Sequence, residues 1–81
     1  MLFRSEDLDE AVALCQQAIA LQPARRAWYL DTLGTLRLKQ GRPRAAVAAY
    51  EQALAATTAR QSALRAGIRE RLTAARALVE E

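Results

Sequence analysis

Eighty-one residues make one domain with a thin core, since a chain this short buries only about 60% of the surface it exposes when unfolded. A single cysteine excludes an internal disulfide, and the lack of any histidine removes the usual ligand set for zinc, so neither metal nor cofactor is expected. Nineteen alanines against three glycines, with few β-branched or aromatic residues, leave all-α as the fold class.

No apolar run approaches the roughly eighteen residues of a membrane span. Met1 to Arg4 lead directly into Ser5, Glu6 and Asp7, which is not a secretory leader, so a reducing cytoplasmic setting is expected. The net charge of +3 is unevenly spread. Residues 1–10 carry one arginine against four acids. Residues 25–44 hold six basic groups against Asp31, and residues 60–76 hold five arginines against Glu70.

Four helical stretches are predicted in chain order. The first runs from about Asp7 to Leu21, with Asp7 and Glu10 spaced as a capping box and Leu8, Ala11, Val12, Cys15, Ala18 and Ile19 on one apolar face. Pro23 ends it. The second runs from about Arg25 to Gln40, with Leu30, Leu33, Gly34 and Leu36 on one side and Asp31, Thr35 and Lys39 on the other. Gly41 follows as a left-handed C-terminal residue. The third begins at Pro43, suited to the first helical position, and carries Val47, Tyr50, Ala53 and Leu54. The fourth begins after Thr58, an N-cap, and places Leu64, Ile68, Leu72, Ala75 and Leu78 or Val79 on one face. Such short connections predict antiparallel neighbours, a stack of hairpins.

The most specific signal is repetition. At a constant offset of 35 residues, Ala11 falls on Ala46, Val12 on Val47, Ala13 on Ala48, Gln17 on Gln52, Ala18 on Ala53 and Ile19 on Leu54. A period in the thirties over a helix-turn-helix unit marks a repeat array. The mid-helix Gly34 costs about 1 kcal/mol relative to alanine and so needs a reason. Close approach of two helices supplies one, with Gly34, Ala46 and Ala53 at the contact and Tyr50 and Leu54 filling the wider spaces.

Leu30-x-x-Leu33-Gly34-x-x-Arg37, then Gly41, then Ala46-x-x-x-Tyr50 and Ala53-Leu54 resemble the tetratricopeptide repeat. Leu30 stands for the usual tryptophan, Arg37 for the usual tyrosine and Thr58 for the closing proline. The earlier unit keeps Ala11, Ala18 and Pro23, with Cys15 in the aromatic place. The resemblance implies a fragment of an α-solenoid of antiparallel helix-turn-helix repeats: a partial first repeat at 1–26, a complete repeat at 27–60 and a C-terminal capping helix at 59–81. Met1 to Arg4 would be a stub of the missing first helix.

The resemblance further implies a non-enzymatic module that holds a peptide or helix of a partner protein in a concave groove lined by the first helix of each repeat. The groove positions would be Trp28, Asp31, Thr35, Leu38 and Lys39. Continuing the register adds Arg65 and Arg69, which suits a partner segment bearing acidic residues. Trp28 is the natural anchor, because exposed aromatics dominate binding energy. Co-chaperone members of the family grip a terminal carboxylate with lysine and asparagine, and the matching places here hold Asp31 and Thr35, so that clamp is not expected.

Two other readings stand beside it. The face of the first helix around Ala11, Cys15 and Ile19 lacks a partner helix and could drive a homo-oligomer. Arg25-Arg26 and Arg42/Arg44 could track phosphates of nucleic acid, although the arginines are spread over several helix faces and a solvated surface accounts for them. Cys15, on an apolar stripe without a base or second thiol, reads as an inert core residue. With no histidine and no glycine-rich loop, no catalytic site is expected, the three glycines being one repeat signature and two punctuators.

Overall fold

The computed structural model describes residues 5–80, which form four α-helices: α1 (Ser5–Leu21), α2 (Arg26–Lys39), α3 (Pro43–Ala56) and α4 (Ser62–Glu80). Short 3₁₀ turns at Pro23–Arg25 and Ala59–Gln61 lead into α2 and α4. The stub expected at Met1 to Arg4 lies outside the described residues.

Local chemistry sets most boundaries. Pro23 has no N–H to extend α1 and instead opens the 3₁₀ turn. At the end of α2, Gly41 takes φ +75, its N–H donates to the Leu38 carbonyl at 3.0 Å and the Arg42 N–H donates to the Arg37 carbonyl at 2.9 Å. This is a Schellman ending, which satisfies carbonyls that the helix would otherwise leave unpaired. Pro43 opens α3 as expected. The Thr58 N–H is met by Gln61 Oε1 at 3.0 Å, one half of a capping box. One boundary differs. The chain is already helical at Ser5, so Asp7 and Glu10 lie within α1 and do not cap its start.

The helices pack in sequence. The α2–α3 contact is the most extensive, followed by α3–α4 and α1–α2; α2 and α4 touch sparsely, and among the described residues no close backbone contact joins α1 to α3 or α4. One core runs through all four, built from Val12, Leu30, Leu33, Ala46, Ala49, Tyr50, Ala53, Ile68, Leu72 and Ala75. Tyr50 and Ile68 are its largest fully buried side chains, and burying each contributes about 1.5–3 kcal/mol. On α4, Val79 turns inward while Leu78 remains 51% exposed.

Gly34 is buried where α2 meets α3, and Tyr50 is the side chain that fills its space. A Cβ built there would lie 2.5 Å from Tyr50 Cε1 and 2.7 Å from Cδ1. The missing side chain leaves a socket for the Tyr50 ring, between helices whose contact surface also buries Ala46 and Ala53. The Tyr50 hydroxyl emerges on the far side and shares a 2.9 Å hydrogen bond with Thr35 Oγ1. A buried phenol without such a partner would cost about 1–3 kcal/mol, so Gly34 and Thr35, one residue apart on α2, together fix the ring.

Candidate partner-binding site

Successive hairpins give α2 and α4 a shared open face, and Trp28 dominates it. Trp28 is 54% exposed. Its ring meets Tyr29 edge-on at 5.1 Å between centroids, and the Tyr29 hydroxyl donates to Gln22 Oε1 at 3.1 Å, just past the end of α1. The tryptophan is thus held on the surface rather than tucked against the preceding helix. With Ala24, Arg25, Gln61 and Leu64 it lines a cleft of about 310 Å³ between the two helix starts.

One turn further along, an ion pair bridges the same two helices. Arg71 Nε donates to Asp31 Oδ1 at 2.7 Å and Nη2 to Oδ2 at 2.6 Å. Asp31 is mostly covered, at 13% side-chain exposure, while Arg71 stays at 42%. The geometry is the two-pronged match of guanidinium to carboxylate. The hydrogen bond to Asp31 pushes the Arg71 pKa above its ordinary value, against a smaller opposing effect of burial. Gly67 makes the reach possible. A Cβ at Gly67 would lie 3.1 Å from Arg71 Nη2, so the guanidinium folds back one turn over the bare backbone to meet Asp31. Gly67 therefore sits in mid-helix, not as a punctuator.

The expected groove residues divide. Trp28 and Asp31 share the α2–α4 face, but Asp31 is already neutralised by Arg71. Thr35 is part-buried and turned toward Tyr50, and Leu38 packs partly on the core. Lys39 is exposed at the last residue of α2. Arg65 and Arg69 are not brought to this face. Arg65 Nε donates to Thr57 Oγ1 at 3.1 Å, at the end of α3, and Arg76 lies 3.9 Å from Glu51 of α3. Arg69, four residues from Arg65 and seven from Arg76, falls on that same side of α4. The residues that α4 contributes to the face are Leu64, Gly67 and Arg71. The signal for them was present: a second glycine inside a strongly helical pattern, with an arginine four residues on.

The expected open face of α1 also needs correction. Cys15 and Ile19 pack against the core, and Ala11 is part-buried. The large apolar side chains left exposed on α1 are Leu14, at 58%, and Leu21, at 81%. Burial pushes the Cys15 thiol above its ordinary pKa.

A larger cleft of about 490 Å³ lies on the other side of α2, where Leu30 and Leu33 face Ile19 of α1 and Ala55 and Ala56 of α3. It carries no exposed aromatic residue, so it lacks the anchor that Trp28 provides. Among the described residues there is no group of His, Cys, Asp or Glu arranged to hold a metal ion, and no helix is long and apolar enough to cross a membrane.

Stacked helical hairpins that leave one face open define a helical-repeat protein. A family model described as tetratricopeptide repeat matches residues 1–59, and the chain belongs to that family. Its members generally mediate protein–protein interaction. No curated protein and no solved structure matches the chain.

Proposed function

We propose that this chain is a non-enzymatic interaction module that holds a segment of another protein against the face shared by α2 and α4, with Trp28 as the anchor. The observation that carries this reading is a half-exposed tryptophan, propped by Tyr29, at the mouth of a cleft floored by Leu64 and edged by Arg25. A large amphipathic ring held in place loses little conformational freedom on binding, which is why tryptophan and arginine recur among the residues that dominate interfaces.

The cleft defines the segment. A large apolar side chain fits between Trp28 and Leu64, and a carboxylate beside it meets Arg25. Asp31 adds no repulsion because Arg71 already holds it. Arg65 and Arg69, on the α3 side of α4, take no part.

The test is capture from a lysate of the producing cells on immobilised parent, Trp28→Ala and Arg69→Ala proteins. Bands retained by the parent and by Arg69→Ala but lost on Trp28→Ala support the reading. Bands that survive Trp28→Ala and depend on Arg69 contradict it.

A further inference from the structure

Beside the Trp28 cleft stands a charged group whose hydrogen-bonding sides are already engaged. A guanidinium is planar and offers a carboxylate two paired sides, Nε with Nη2 and Nη1 with Nη2. In Arg71 the first is occupied, since Nε and Nη2 donate to the two oxygens of Asp31 at 2.7 and 2.6 Å. The second is turned toward α4. A Cβ built at Gly67 would lie 3.1 Å from Nη2 and 3.3 Å from Nη1, but 3.5 Å from Cζ. The third side carries the stem of the residue itself. Yet 42% of the Arg71 side chain stays open, and with its sides engaged the guanidinium offers a partner its flat face.

A flat face suits a ring better than a second acid. A carboxylate would find no free pair of N–H groups on Arg71. It would also be repelled by Asp31 and by the exposed Glu70, the neighbour of Arg71 in α4. An uncharged aromatic ring meets neither obstacle, because stacking on a guanidinium uses the face of the group and not its N–H bonds. The tether to Asp31 holds the plane in one orientation, so little side-chain freedom is lost when a ring settles on it.

We infer that the partner segment carries a second anchor, an aromatic side chain stacked on Arg71, beside the large apolar residue held between Trp28 and Leu64. This rests on the binding face proposed above and adds a requirement to it. Helices α2 and α4 run in the same direction, because α3 reverses between them. Both advance by one turn between the two contacts, from Trp28 to Asp31 and from Leu64 to Gly67, which sets the contacts roughly 5 Å apart. Two residues of an extended segment, or three to four of a helix, cover about that distance.

Selection of a random peptide library, displayed on phage, against the immobilised 81-residue chain tests this. Peptides that lose binding on Trp28→Ala are those that engage the proposed face. They should carry Trp, Tyr or Phe about two to four residues from a large apolar residue. In synthetic form, exchanging that aromatic for leucine should weaken binding about two- to fivefold. Arg71→Ala should weaken it as much, and both changes together should cost no more than one. Arg71→Lys, which keeps the charge but not the plane, should behave as Arg71→Ala does. Both variants should retain the parent's circular dichroism, since Arg71 lies outside the core.

Peptides that need Trp28 but carry no aromatic, or an acid in its place, overturn the inference and leave the binding face standing. So do losses from the aromatic and Arg71 changes that simply add, or full affinity on Arg71→Lys. If no selected peptide depends on Trp28, the face itself fails and the inference falls with it.

Discussion

Gly34 and Tyr50 provide the sharpest test of how the hairpins pack. Replacing Gly34 with alanine places a methyl group 2.5–2.8 Å from three atoms of a ring that is fully buried. The ring must retreat by roughly 1 Å into close-packed surroundings, and overpacking of this kind costs about 1–3 kcal/mol. Against that, alanine is about 1 kcal/mol better than glycine inside a helix, so the net effect in the parent is a loss of about 0–2 kcal/mol. In a Tyr50→Leu background the ring is gone, and the same substitution should stabilise by about 1 kcal/mol. The non-additivity between the two sites should therefore be about 1–3 kcal/mol. Urea unfolding of the four proteins followed by far-UV circular dichroism measures it. If Gly34→Ala has the same effect in both backgrounds, the socket is not what glycine is there for. Gly34→Leu should abolish cooperative folding, because a domain of this size has only about 4–12 kcal/mol in hand.

Other expectations follow from single contacts. The coupling between Asp31 and Arg71, measured by a double-mutant cycle to alanine, should be about 1 kcal/mol, the upper end for an ion pair with one partner open to water, and should fall in high salt. Gly41→Ala should destabilise by about 1–2 kcal/mol through its left-handed backbone alone, since no atom lies within 4 Å of a Cβ placed there; urea unfolding reads this directly. The Cys15 thiol, raised by burial, should alkylate with iodoacetamide more slowly than free cysteine. Its reaction rate should keep rising with pH beyond the range where an exposed thiol has levelled off, because its reactive thiolate forms only at higher pH.

The helices and their turns were legible because each rests on a local rule. Proline cannot extend α1, Gly41 accepts a left-handed backbone, Pro43 suits a first helical position and Thr58 starts the last helical segment. The fold was legible from the 35-residue register between Ala11 and Ala46. The α4 half of the candidate site was not, and the reason is geometric. Continuing the repeat register across the Thr57–Gln61 link sets Arg65 beside Asp31, whereas the structure brings Gly67 and the overlying Arg71 there. Arg71 lies about 120° around the helix from Arg65, so turning Arg71 toward Asp31 leaves Arg65 on the α3 side, where it meets Thr57. Arg71 was hidden for the same reason: an arginine on a helical wheel reads as a solvated charge until its partner on another helix is known. Cys15 and Leu14, neighbours in sequence, show the same limit, since periodicity placed an apolar face on α1 but could not say which edge of it α2 would cover.

The most direct test of the proposed binding face is site-specific photo-crosslinking. A photoreactive residue is placed in turn at positions 28, 64 and 69 and the adducts formed in producing cells are compared. The expected result is the same partner protein joined at 28 and 64 and absent at 69. Adducts at 69 with none at 28 or 64 would move binding to the α3 side of α4 and contradict the role given to Trp28.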